Sequence, residues 1–285
     1  MQILDGKALS KKIETEVAAS CASLKEKTGR VPGLAVILVG NDPASQAYVG
    51  MKKKACDRVG FYSVTHEMPE NISQEAIEQT IEMMNENPNI DGILIQLPLP
   101  PHIDTTRLLE LVAPHKDVDG FHPFNVGRLA TGLDGFVPCT PLGVMELLDE
   151  YGIDVEGKEC VVVGASNIVG KPMAALLLNA NATVTVTHIY TKDLAAHTKN
   201  ADIVLVGAGV VNLVREDMVK QGAVVIDIGI NRTEDGRLVG DVDYDNVAPK
   251  CSYITPVPGG VGPMTIAMLL KNTLKAAQLH AEEAR

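Results

Sequence analysis

The chain has 285 residues, enough for a large buried core and more in keeping with two domains than one. Its 25 Lys and Arg stand against 36 Asp and Glu, a formal charge of −11 that repels phosphate backbones and argues against nucleic-acid binding, while leaving room for a local pocket that holds one phosphate group. No apolar run reaches the roughly 20 residues needed to span a bilayer, and the start, Met1-Gln2-Ile3-Leu4-Asp5-Gly6-Lys7, is too polar for a signal peptide, so no membrane partner is expected.

Cys21, Cys56, Cys139, Cys160 and Cys251 are far apart and make no Cys-x-x-Cys pair, so neither a metal site nor a disulfide framework is indicated. Free thiols in a reducing compartment follow, and with them a soluble cytoplasmic protein.

In chain order, residues 34–39 read as a buried strand. Asp42 then caps a helix, Pro43 suits its first position and Gly60 ends it. Tyr48 and Lys52 lie four apart on that helix, so a phenol and an amine point into the same space beside the strand. A lysine held there is a candidate proton-transfer group. Lys52, Lys53 and Lys54 also form a run, and most surface lysines only solvate a helix, so both readings stand on these residues alone. Ile77, Ile81 and Met84 mark a helix over 74–85, and residues 92–96 read as a second buried strand. Leu97-Pro98-Leu99-Pro100-Pro101 then stops regular structure, because proline donates no backbone hydrogen bond.

Residues 141–151 read as a helix joining the two halves. Cys160-Val161-Val162-Val163 is a strand, Gly164 to Gly170 a turn, and Lys171-Pro172-Met173 the opening of a helix. Strands follow at 183–187, 203–206 and 223–228. The alternation is that of an α/β protein with parallel strands, and its second half is a doubly wound, Rossmann-type series. Gly164-x-Ser166-x-x-x-Gly170 departs from Gly-x-Gly-x-x-Gly, but it lies between strand and helix, where small residues admit a pyrophosphate and a helix N-terminus supplies amides. A glycine-rich turn without a ligand is the alternative. After the next strand, Thr187-His188-Ile189-Tyr190-Thr191-Lys192 offers no acid until Asp193, which favours NADP without excluding NAD. His188 could equally be structural. A last helix over 264–279 has Ile266, Leu269, Leu270 and Leu274 on one side.

Six segments together resemble the bifunctional methylenetetrahydrofolate dehydrogenase/methenyltetrahydrofolate cyclohydrolase family. They are Tyr48-x-x-x-Lys52, Gln96-Leu97-Pro98-Leu99-Pro100, Lys116-Asp117-Val118-Asp119-Gly120, Pro138-Cys139-Thr140-Pro141, Gly164-Ala165-Ser166-Asn167-Ile168-Val169-Gly170 and Pro256-Val257-Pro258-Gly259-Gly260-Val261-Gly262-Pro263-Met264-Thr265. The resemblance runs over essentially the whole chain. It implies a folate-binding α/β domain over 1–137, with the final helix, 264–285, packing back on it, and a Rossmann-type NAD(P)-binding domain over 138–263, with a cleft between the two. It also implies a homodimer acting on tetrahydrofolate derivatives: oxidation of 5,10-methylenetetrahydrofolate with NADP, then hydrolysis of the methenyl cation to 10-formyltetrahydrofolate.

By the same resemblance Lys52 moves protons, Tyr48 stacks on the folate, Gln96 holds Lys52, and Asp119 binds the amino edge of the pterin. Leu97, Pro98 and the backbone of Pro258, Gly259 and Gly260 line the folate pocket, and Gly164, Ala165, Ser166, Ile189 and Ile230 contact the dinucleotide. Ala165 and Ile189 stand where some members carry arginine or serine, which puts cofactor selectivity in question. A lysine titrates near about 10.4 when free, so a proton-transfer role calls for burial. A different NAD(P) dehydrogenase on the same plan would explain the second half but not Gln96-Leu97-Pro98 or the proline-glycine run, and a folate sensor would be expected to lack Lys52.

Overall fold

A computed structural model describes residues 1–283, so the last two residues of the expected final helix lie outside the described residues. The first half runs β1 (Gln2–Ile3), α1 (Gly6–Thr28), β2 (Gly33–Val39), α2 (Pro43–Val59), β3 (Tyr62–Met68), α3 (Gln74–Glu86), β4 (Gly92–Ile95), α4 (Thr105–Leu111) and α5 (Pro123–Ala130). The second runs α6 (Cys139–Glu150), β5 (Glu159–Val163), α7 (Gly170–Asn179), β6 (Thr183–Thr187), α8 (Leu194–Thr198), β7 (Ile203–Val206), β8 (Val224–Asp227), β9 (Asn231–Arg232), β10 (Leu238–Val239), α9 (Tyr244–Val247), β11 (Tyr253–Ile254) and α10 (Val261–Glu283).

The chain divides into two compact units. One comprises Lys11–Arg128, Leu133–Val137 and the chain from Ile266 onward. Its parallel sheet has the order β3-β2-β4. All seven residues of β2 are buried, as a central parallel strand covered on both faces requires. Ala35, Ile37 and Val39 pack with Ile77, Ile81 and Met84 of α3 and with Ile93 and Ile95 of β4. Beyond β4 a parallel bridge joins Ile93 to Asp117, and the Ile93 amide donates to the Lys116 carbonyl at 2.8 Å. Asn272 of α10 donates to the carbonyls of Val118 and Val137 at 2.8 and 3.0 Å, so the final helix is bonded into this unit.

The other unit comprises Met1–Ser10, Leu129–Gly132 and Pro138–Thr265. Its sheet has the order β1-β11-β8-β7-β5-β6 and is parallel throughout. The strand order reverses between β5 and β7, the switch point at which doubly wound sheets bind ligands. Val161, Val163, Val204, Val206, Val225 and Ile254 form the centre of its core. All five cysteines are buried thiols, and burial raises Cys56 and Cys160 to about 12. No helix among the described residues is long and apolar enough to cross a membrane.

Candidate active site

The helix that carries Tyr48 and Lys52 is built as its sequence requires. The Asp42 side chain accepts from the Ser45 amide, Pro43 occupies the first turn, and Gly60 ends the helix at φ 80°. Lys53 and Lys54 are exposed, whereas Lys52 is buried. Its Nζ donates to Gln96 Oε1 at 3.0 Å, and Gln96 Nε2 donates to the Leu97 carbonyl at 2.8 Å. The second bond fixes which end of the amide faces the lysine. Tyr48, one turn before Lys52, is half-buried, and burial raises its phenol above the ordinary range.

Gln96 follows the last residue of β4, and Asp119 lies in the turn that follows the isolated parallel bridge from Ile93 to Asp117. Through its bond to Gln96, Lys52 therefore sits at the carboxyl end of β4, and Asp119 belongs to the same unit. Leu97 and Pro98 continue from Gln96, with a cis bond between them.

Sequence reading passed over Asp117, two residues before Asp119. It is buried and accepts from the amides of Phe121 and His122 at 3.1 and 2.9 Å and from Asn125 Nδ2 at 2.8 Å. Asn125 in turn accepts from the Phe136 amide. Burial pushes the Asp117 carboxyl up to about 6 against the opposing pull of these donors. Asp117 holds the turn on which Asp119 is presented.

The residues expected to contact the dinucleotide belong to the other unit. Gly164 has φ 114°, and a Cβ there would overlap the Gly207 carbonyl oxygen. A Cβ at Gly170 would overlap the Gly164 carbonyl oxygen, so glycine alone lets α7 start this close to the loop. Ser166 Oγ accepts from the amides of Val169 and Gly170 at 3.1 and 3.4 Å, which ties the loop to the start of α7. After β6, His188 Nδ1 accepts from the Tyr190 amide and Thr191 Oγ1 from the His188 amide, so His188 shapes a turn. That turn leaves Ile189 91% and Tyr190 85% exposed. Ile168, Val210, Val211 and Ile230, in the loops after β5, β7 and β8, are exposed as well. Large apolar side chains bared together at the carboxyl ends of four adjacent strands fit the flat faces of a dinucleotide.

Pro258, Gly259 and Gly260 form a turn after β11 in the same unit. The Val257–Pro258 bond is cis, Gly259 has φ 108°, and its carbonyl accepts from the Lys7 amide at 2.9 Å. Sequence reading also passed over Asp227 and Asp241, two buried carboxylates behind the loops after β7 and β8. An acid ending the apolar run of β8 was the available signal for Asp227.

A Rossmann-type sheet in one unit and a buried, positioned lysine in the other define an α/β enzyme that pairs nucleotide-dependent chemistry with a separate catalytic unit. Residues 4–119 match the tetrahydrofolate dehydrogenase/cyclohydrolase catalytic domain, and residues 138–281 match the NAD(P)-binding domain of the same family. The chain belongs to the tetrahydrofolate dehydrogenase/cyclohydrolase family. It is 78% identical to the bifunctional protein FolD of Sulfurimonas denitrificans, over 99% of each chain. The crystal structure of the bifunctional enzyme FolD from Campylobacter jejuni superposes with a TM-score of 0.96 at 58% identity, covering 98% of this chain and 99% of that one. The FolD dehydrogenase-cyclohydrolase of Trypanosoma brucei, solved with NADP cofactor and an inhibitor, gives 0.94 at 43% identity, covering 98% of each.

Proposed function

We infer that this protein oxidises 5,10-methylenetetrahydrofolate to the 5,10-methenyl cation with NADP, and hydrolyses the cation to 10-formyltetrahydrofolate. The single observation that carries the assignment of roles is the 3.0 Å contact between the buried Lys52 amine and Gln96. NADP, when bound, supplies the hydride acceptor. Gly164, Ala165, Ser166, Ile189 and Ile230 would hold it, through close backbone approach at the loop and apolar contact from the exposed side chains.

In the hydrolytic step water adds to the methenyl carbon and loses one proton; the ring carbon–nitrogen bond then breaks as that nitrogen gains a proton and the new hydroxyl gives up its own to become the formyl oxygen, so one proton is released overall. Lys52 is the group that moves these protons. Gln96 keeps the amine in one place by a directional hydrogen bond, and Tyr48 stacks on the folate. Asp119 receives the adjacent N–H donors of the pterin in charge-assisted hydrogen bonds. Leu97 and Pro98, with Pro258, Gly259 and Gly260, line the folate pocket. The reading also carries a homodimer and a cytoplasmic setting. Sedimentation at twice the chain mass is the expected result for the first, and fractionation of cells tests the second.

The deciding experiment assays the purified chain with methylenetetrahydrofolate, with NADP and NAD in parallel at the reduced nicotinamide band, and follows methenyl absorbance separately for hydrolysis. Turnover in both assays with NADP is expected. Absence of either activity refutes the assignment.

A further inference from the structure

Asp227 ends β8 and is buried. Its Oδ1 accepts from the amides of Gly229 and Asp241 at 3.0 Å each, and its Oδ2 accepts from the Val242 amide at 3.0 Å. Its own amide donates to Thr255 Oγ1 at 2.7 Å. Asp241 is fully buried, and its Oδ2 accepts from the amides of Ala208 and Gly209 at 2.6 and 2.8 Å. Its Oδ1 accepts from Asn231 Nδ2 at 2.8 Å. A Cβ at Gly229 would overlap the Asp241 carboxylate, and one at Gly240 would overlap the Asp227 carboxylate. Two carboxylates are thus held out of water, each accepting three hydrogen bonds from loop donors. Such an arrangement is costly unless the donors stay in place.

The loops so tied are the ones that bare apolar side chains. Val210 and Val211 follow Gly209 directly, and Ile230 adjoins Asn231. We propose that Asp241, seated on Asp227, is the positioning residue that sets these two loops for the dinucleotide and thereby sets its affinity. The carboxylates bind no ligand themselves. The proposal rests on the NADP reading above and goes beyond it in naming what shapes the site.

The test measures NADP dissociation constants and both activities for the full-length parent and three variants. Asp241→Ala leaves two loop amides and Asn231 without their acceptor, and is expected to raise the NADP Kd roughly tenfold or more. Its cyclohydrolase kcat/KM, measured without NADP, is expected to stay within about threefold, a split that general misfolding would not produce. Asp241→Asn keeps an oxygen for the two amides and is expected to recover NADP affinity to within about threefold of the parent. An unchanged Kd in Asp241→Ala, an equal fall in both activities, or an Asp241→Asn variant as weak as Asp241→Ala overturns the proposal. If Asp241→Ala does not fold, Asn231→Ala, at a half-buried residue, takes its place: an NADP Kd raised about threefold supports the proposal and an unchanged one overturns it. A parent that binds no NADP would refute the functional reading instead, so the two failures are separable.

Discussion

A lysine in a run of three is ordinarily a solvated residue, and what distinguishes Lys52 is burial beside an amide already held by its neighbour's carbonyl. Lys52→Met is expected to lower cyclohydrolase turnover by about 100-fold or more, the usual worth of a positioned proton-transfer group. NADP affinity in calorimetry should be unaffected. Retained hydrolysis at the parental rate would remove Lys52 from its role. Asp119→Ala is expected to weaken folate binding by about tenfold or more, through loss of a charge-assisted bond, and titration calorimetry with tetrahydrofolate reads it directly. Asp117 supplies a pH test. Its folded value, about 6, lies above the roughly 3.9 of an unfolded aspartate. The folded state therefore binds the proton more tightly, and the stability this gives is complete below pH ~4 and lost as pH rises through ~6. Urea unfolding should show the parent losing about 3 kcal/mol relative to Asp117→Asn across that window, and a flat difference would refute it. The spacing of Tyr48 and Lys52 was legible from the sequence, since four residues is one helical turn. The meeting of Lys52 with Gln96 was not: no local pattern relates residues 44 apart, and only the family resemblance supplied it.

Among the elements, those buried on both faces were the legible ones. β2, β4, β5, β7 and β8 are near-continuous apolar runs because helices cover both sides of a parallel sheet. β3, Tyr-Ser-Val-Thr-His-Glu-Met, escaped notice because it is an edge strand and only partly buried, so its residues show no apolar run. β1 and β11 escaped for a different reason: two residues carry no period, and their pairing with each other and with β8 is tertiary. The start of α7 was legible, yet its closeness to Gly164 was not. Gly170→Ala would drive a methyl group into backbone and is expected to cost about 1–3 kcal/mol in urea unfolding and to weaken NADP binding. Gly127→Ala, inside α5 with open space around it, is the control and should stabilise by about 0.5–1 kcal/mol. Equal effects from the two would contradict the packing described for α7.

For the molecule as a whole, two compact units mean that unfolding need not follow one transition. A ligand stabilises only what it binds, by about 2.7 kcal/mol at 100 times its Kd. NADP at that excess should therefore raise the calorimetric melting of the unit holding the six-stranded sheet, and Lys52→Met should show the same rise. An NADP-independent melting profile would contradict the cofactor assignment.

Neither unit is a continuous stretch of chain. The helix that begins at Gly6 passes from one to the other after Ser10, and the helix that begins at Val261 does so after Thr265. A gene cut near codon 137 would part Val118 and Val137 from the Asn272 amide that binds both carbonyls, and would strip the six-stranded sheet of its outermost strand, Gln2–Ile3. Neither half-product should accumulate as folded material when expressed alone. Simple fission of this architecture is thereby obstructed, because each part would lose backbone partners supplied by the other.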